Sequence, residues 1–255
     1  MDVNPEHMVP KHMSQNETTE KQKLHAASVH VSGTGRVGTN IVLNLAAGGV
    51  QSVTANDGQR IDQENLGNLI LARPSDLGRE KVFVLERALH GLSHFVFEPV
   101  FARTQSDLVD PYIERATVVI SCANTVAARL AAERKAIRYG KPVIQVAAFD
   151  GKERLGGLIT LRLPENAWSA CFGCYLNGNR RFPRGEALLS TVTATLAAVA
   201  SNLAVEIISG ARADFMKTRN LLLIDLETYR IEALAVERRA KCRVCGDASS
   251  VGDSC

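Results

Sequence analysis

Apolar and polar positions divide the chain into three stretches of different rhythm. Residues 1–24 hold Pro5, Pro10 and several amides with no periodic apolar face, which predicts a flexible arm. From Ala27 to about residue 150, short apolar runs alternate with longer segments of helical spacing. The runs predict strands at Ala27–Ser32, Val50–Asn56, Phe95–Phe101, Ala116–Ser121 and Val143–Ala148. Between them the spacing predicts helices at Val37–Ala47, stopped by Gly48-Gly49, at Arg79–Leu92, and at Thr125–Tyr139, ended by Gly140 and Pro142. Residues 58–78 are polar and broken by Gly58, Gly67, Pro74 and Gly78, so a loop with short helices is expected there. This alternation predicts an α/β fold: a Rossmann-like, mostly parallel sheet with right-handed crossovers and helices on both faces.

The third stretch reads differently. Gly157–Leu163 alternates as a strand, and residues 164–185 form an irregular segment with the only Trp and two cysteines. Glu186–Ser209 is Ala-rich and nearly uncharged, which predicts a helix buried against the sheet or a partner subunit. Asn220–Leu226 and Tyr229–Val236 read as strands joined by a tight turn at Leu226-Glu227-Thr228. The expected organisation is an arm over 1–24, one domain over 25–246 and a disordered tail over 247–255. Within the domain, residues 25–150 form a nucleotide-binding core and residues 151–246 a second half.

The first apolar run leads into Gly33-Thr34-Gly35-Arg36-Val37-Gly38, between a predicted strand and a predicted helix. In that context Gly33 permits a tight turn, Gly35 lets a phosphate approach the backbone, and Gly38 lets helix and strand pack closely. The helix N-terminus supplies free N–H groups and partial positive charge for phosphates. Asp57 ends the second strand about 20 residues downstream, where a carboxylate can accept hydrogen bonds from ribose hydroxyls. The loop alone points to a nucleotide, with a dinucleotide as the default. The alternative is a glycine-rich turn that binds nothing.

Composition narrows the chemistry only in part. At 255 residues the chain can bury a substantial core as one large domain or two small ones. A net charge of +3 is too small to argue for nucleic acid. No apolar h-region opens the chain, and no apolar run reaches the roughly 18 residues that would span a bilayer. These features point to a cytoplasmic protein without a membrane partner, where thiols stay reduced. The six cysteines are therefore read as ligands, catalytic thiols or core residues.

Cys171-Phe-Gly-Cys174 and Cys242-Arg-Val-Cys245 each have the two-residue gap that lets two thiolates grip one tetrahedral Zn²⁺. The pairs are far apart in sequence, so the fold must unite them into a closed, structural four-thiolate site. A redox pair and two unrelated buried pairs are the alternatives. Cys122 ends an apolar strand and reads as a packed core residue; Cys255 is uninformative.

The glycine loop, Asp57, Asn65-Leu66, Gly78-Arg79-Glu80-Lys81 and the two cysteine pairs occur in one order over about residues 27–246. That combination resembles the E1-like adenylyltransferases of the ThiF/MoeB/HesA family. The resemblance implies an enzyme that uses ATP to adenylate the C-terminal carboxylate of a small ubiquitin-like sulfur carrier or a peptide, working as a homodimer, with residues 151–246 binding the acceptor. By position it assigns phosphates to Gly33, Gly35, Arg36 and Gly38, and ribose to Asp57. It also assigns ATP contacts to Asn65, Lys81, Asn124 and Arg129, and structural Zn²⁺ to Cys171, Cys174, Cys242 and Cys245. A lysine and backbone N–H groups fixed around a triphosphate suit a reaction governed by positioning and charge neutralisation.

The sequence departs from the family's pattern in several places. The arginine of the family's S-N-L-N-R-Q stretch is Asn68 here, and the Mg²⁺-binding carboxylate of its D-C-x-D-N segment is Asn124. Gln59 stands where a second acid is common, and an amide is a weaker ligand than a carboxylate for a hard cation. No cysteine lies between Cys174 and Cys242, so the thioester or persulfide nucleophile of some members is absent. Arg60 and Arg73 are the candidates to replace the missing arginine by proximity. Two functions follow: an adenylyltransferase without covalent catalysis, or a degenerate E1-like protein that recruits a peptide or partner enzyme. An NAD-dependent oxidoreductase is the third, disfavoured by the cysteine pairs and residues 62–81.

Overall fold

The computed structural model describes residues 17–149, 154–176, 189–211 and 215–246. One sheet organises them. Strands β1 (Ser28–Ser32), β2 (Ser52–Asn56), β3 (Val96–Val100), β4 (Val118–Ser121) and β5 (Val143–Ala148) pair in parallel in the spatial order 3-2-1-4-5. Strands β6 (Gly156–Arg162), β7 (Leu221–Asp225) and β8 (Arg230–Leu234) extend the β5 side by antiparallel pairing. The parallel α/β core expected over 27–150 is thus observed, each strand within two residues of its predicted bounds.

Strands β1, β2, β4 and β5 form because they are short and rich in β-branched residues, and they are buried on both faces by the helices that cross between them, whereas the edge strands β3 and β8 stay partly exposed. On one face Val29, Val31, Val53, Ala55, Val118, Ile120, Ile144 and Val146 merge into the main core. Helices α2 (Arg36–Ala47), α4 (Lys81–Leu89) and α8 (Ser190–Ser209) contribute Ile41, Val42, Leu45, Leu85, Leu89, Leu196 and Leu203 to it. The opposite face carries a smaller cluster, with Val119 and Val143 under α5 (Asp110–Arg115) and α6 (Val126–Arg138). Helix α6 starts where Thr125 Oγ1 accepts the Ala128 N–H at 3.2 Å, an N-cap that fixes its first turn.

Two sequence expectations need correction. Residues 17–24, expected to end a flexible arm, form most of α1 (Glu17–Ala26), while residues 1–16 lie outside the described ones. Leu24 is its anchor, 1 % exposed in the main core, and Lys23 Nζ donates to the Ser209 carbonyl at 2.7 Å. A cation on the last carbonyls of α8 complements that helix's negative end. With a single apolar anchor the segment shows no periodic stripe, which is why the pattern missed it. Second, α8 has the length and apolarity to cross a membrane, although Thr, Ser and Asn interrupt its apolar run. It packs against α2, α1 and strands β4–β6, so its apolarity serves the core. The first three residues of the predicted Glu186–Ser209 helix, 186–188, lie outside the described residues.

Four helices carried no individual prediction: α3 (Gln63–Leu66), α5, α7 (Phe172–Tyr175) and α9 (Phe215–Thr218). Each has six residues or fewer, too short to display a helical period.

Candidate functional site

Strand order sets the site's position. From β1 the chain moves outward to β2 and β3, then returns to the other side of β1 as β4. Loops leaving the C-terminal ends of β1 and β4 therefore diverge, and ligands of such sheets bind in the crevice between them. Three segments surround it: the glycine loop after β1, Asp57–Ile61 after β2, and Cys122–Thr125 after β4.

The three glycines answer to different constraints. Gly33 has φ +98°, and a Cβ there would lie 3.2 Å from Ala123 N. A Cβ on Gly38 would meet the Gly33 carbonyl oxygen at 1.9 Å, so only glycine lets α2 pack against the loop. Gly35 differs: its φ of −72° suits any residue, and a Cβ would touch nothing within 4 Å. Neither backbone nor packing demands glycine there. What its bareness does is leave the N-terminus of α2 open, with no side-chain cap on its first N–H groups. Arg36 opens the helix, half-buried, its guanidinium pulled below the usual range by burial.

Asp57 locks the loop's shape. Its Oδ2 accepts from Thr34 N at 2.9 Å and Thr34 Oγ1 at 3.3 Å, and its Oδ1 accepts from Gln59 N at 2.9 Å. Gln59 then turns to the lysine, its Oε1 accepting from Lys81 Nζ at 2.9 Å. Lys81 is 8 % exposed, and with Thr34 and Thr39 it gives polar atoms to a small cleft otherwise walled by apolar residues such as Ile61, Leu69 and Val84. The structure thus brings together Gly33, Gly35, Gly38, Asp57 and Lys81. Asn124 is exposed in the loop after β4. Asn65 falls on α3.

Other expected residues are held elsewhere. Arg60 is ion-paired to Glu80 at 2.5 Å, donates to the Gly78 carbonyl and stacks on Phe101. Arg73 is exposed, and the fold uses its backbone, whose N–H donates to Asp76 at 2.7 Å. Neither guanidinium lines the cleft. Asn68 is exposed and donates its amide to the Glu64 carbonyl at 2.9 Å. Arg129 is buried: its Nη2 donates to the Val146 carbonyl at 2.7 Å and its guanidinium lies 5.7 Å from the Phe172 ring centre, while Nη1 has no partner. Burial lowers it to about 10. Cys122 is packed as expected, its thiol donating to the Gly33 carbonyl at 3.1 Å and pushed up to about 12 by burial.

The cysteines form a second centre. Sγ–Sγ distances are 3.9 Å for Cys171–Cys174, 3.6 Å for Cys171–Cys242 and 3.5 Å for Cys174–Cys245, with all four sulfurs within 4.8 Å of one another. A tetrahedral Zn²⁺ with bonds of about 2.3 Å needs sulfurs roughly 3.8 Å apart, so the cluster fits that ion. The tail reaches the first pair by bridging Ser169 to Glu237, with Asn220 hydrogen-bonded to both Ser169 Oγ and Val236. Gly173 is required at the contact, since a Cβ would sit 2.7 Å from Val244 Cγ2.

Sequence reasoning missed Asn56, one residue before Asp57. Its backbone oxygen accepts from Gly33 N at 2.8 Å, and its side chain holds Ala102 O, Thr104 Oγ1, Ser32 Oγ and His30 Nε2. Because Oδ1 only accepts, His30 carries its proton on Nε2 and accepts from Thr54 Oγ1 at 2.8 Å. The signal was an asparagine closing a buried strand, next to Asp57.

A sequence profile of the ThiF family matches residues 11–244. This chain belongs to the ThiF family. Among curated proteins, the ThiF-family chain is 26% identical over 229 residues to Protein HesA, heterocyst, of Trichormus variabilis, covering 89% of this chain and 83% of that one. It is 25% identical over 235 residues to the sulfur carrier protein ThiS adenylyltransferase of Escherichia coli, covering 90% of each. Among solved structures, the crystal structure of E. coli MccB with AMPCPP and MccA matches 90% of this chain and 69% of that chain. Its TM-score of 0.73 at 18% identity is a likeness of fold.

Proposed function

We propose that this chain is an ATP-dependent adenylyltransferase that activates a C-terminal carboxylate, on a small ubiquitin-like sulfur carrier or a peptide, as an acyl-adenylate. The observation that carries the reading is the phosphate cradle: an uncapped α2 N-terminus beside bare Gly35, with Lys81 facing Thr34 across one cleft. In the reaction a carboxylate oxygen attacks the α-phosphorus, the bond to the bridging oxygen breaks, and pyrophosphate leaves with the electron pair. Loop N–H groups and Lys81 neutralise the charge that develops. Cys122, half-buried beneath the loop with its thiol donating to the Gly33 carbonyl, takes no covalent part. The names of the ThiS adenylyltransferase and of the MccB–MccA structure support a carrier or peptide as acceptor; a homodimer in the cytoplasm is part of the same proposal. One Zn²⁺ on Cys171, Cys174, Cys242 and Cys245 staples the second half and leaves no open coordination position. Zinc analysis giving one ion per chain, lost in Cys242→Ser, is the expected result.

A second reading is favoured by Asn68, whose amide is spent on Glu64 and whose neutral side chain cannot offset triphosphate charge. In it the protein binds an acceptor without adenylating it. ATP–pyrophosphate exchange separates the two. Exchange stimulated by a peptide or carrier with a free C-terminus supports the enzyme; peptide binding with no exchange supports the scaffold.

A further inference from the structure

The donor set of the crevice does not suit a divalent cation. Over residues 33–38, 57–61 and 122–129 the only carboxylate is Asp57. Both of its oxygens are engaged, Oδ2 by Thr34 and Oδ1 by the Gln59 N–H. Asn124 and Gln59 offer neutral amides, and the Gln59 oxygen already accepts from Lys81. A hard cation such as Mg²⁺ prefers carboxylate oxygen and holds its water tightly, so these groups give it little hold.

The same groups leave positive charge free. Lys81 is nearly buried and fixed in place, yet the partner that fixes it is an amide rather than a carboxylate. A glutamate in that position would hold the ammonium equally well and cancel it. The neutral clasp keeps Lys81 positioned and its charge uncompensated, beside Thr34 and the open end of α2. We infer that this crevice binds its nucleotide as the metal-free polyphosphate anion, with Lys81 and the α2 N-terminus supplying the charge that a protein-held Mg²⁺ would otherwise supply. The inference rests on the nucleotide reading above and concerns binding alone.

Calorimetric titration of the full chain with ATP, in EDTA and in millimolar MgCl2, tests it. Affinity in EDTA equal to or tighter than that in Mg²⁺ is the expected result. Binding that weakens tenfold or more in EDTA overturns the inference and leaves the nucleotide reading standing. Absence of binding in both buffers overturns the nucleotide reading and this inference with it. The variant Gln59→Glu sharpens the test, because it keeps the clasp and adds the missing charge. It should lose at least tenfold in EDTA and recover part of that loss in Mg²⁺. Unchanged EDTA affinity in that variant, with its thermal unfolding unchanged, would also overturn the inference.

Discussion

The two faces of the central sheet are made by alternate residues of the same strands, and they are built of different chemistry. Under α2, α4 and α8 the buried inward positions of β1, β2, β4 and β5 are aliphatic, from Val29 to Val146. Under α5 and α6, the positions nearest the crevice form a polar row. Asn56 pairs in register with Ser32, Ser32 with Ser121, Ser121 with Gln145, and Gln145 with Thr160, all of them buried. The aliphatic face supplies cohesion that is indifferent to direction. The polar row supplies directed bonds that tie strand ends to loops, at the risk of unmet hydrogen bonds. That risk is visible: Ser121 Oγ, Gln145 Oε1, Glu133 Oε1 and Arg129 Nη1 lack partners. One face holds the fold together, while the other aims the crevice.

The contrast can be broken at adjacent residues. Ile120→Ala, on the aliphatic face, should cost about 3–4 kcal/mol by leaving a cavity in a close-packed core, read by urea unfolding. A cost under 1 kcal/mol would mean that this face relaxes easily. Asn56→Ala should cost less, about 2 kcal/mol, because it strands buried donors and acceptors. It should weaken nucleotide binding as well, since the Gly33 and Ala102 segments lose a shared anchor; a purely thermal effect would deny the row its aiming role.

His30 gives the third test. Burial holds it at about 4, below the 6.5 of an unfolded chain. As pH falls the unfolded state binds the proton first, so this stability is full above pH 6.5 and declines toward pH 4. The advantage of the native chain over His30→Gln should shrink by about 2 kcal/mol between pH 7 and pH 5. Glu133, raised to about 7 by burial, titrates with the opposite sign, but it is common to both chains and drops out of the difference. The smallest effect belongs to Ser121→Ala. Its hydroxyl has no partner, so the change should stay within about 0.5 kcal/mol. A loss above 1 kcal/mol would reveal a bond, to water for instance, that anchors this position.

The aliphatic face was legible in the sequence because burial on both sides writes itself as an unbroken apolar run. The glycine loop was legible for a related reason, since a Cβ at Gly38 is sterically forbidden whatever surrounds it. The cysteine cluster was legible from spacing alone, although the partner-finding of its halves depends on Asn220, an unremarkable residue in the chain. The polar row was not legible: its members come from five strands, one residue each, and only register aligns them. The placement of Arg60 and Arg73 was hidden by the same logic. Proximity along a loop says nothing of which way a guanidinium turns, and Arg60 turned to Glu80.

The cysteine pairs stand 71 residues apart, and that interval has a consequence for synthesis. A ribosome adding about 5–20 residues per second takes roughly 4–14 s to travel from the first pair to the second. During that delay Cys171 and Cys174 exist as a two-thiolate fragment, able to capture an ion weakly or to be oxidised. The parallel core, complete by Ala148, is already outside the tunnel or nearly so when Cys245 is made. If the cluster holds Zn²⁺ as proposed, its closure must wait until Cys245 has been made, and reducing conditions with available zinc then matter most in those seconds.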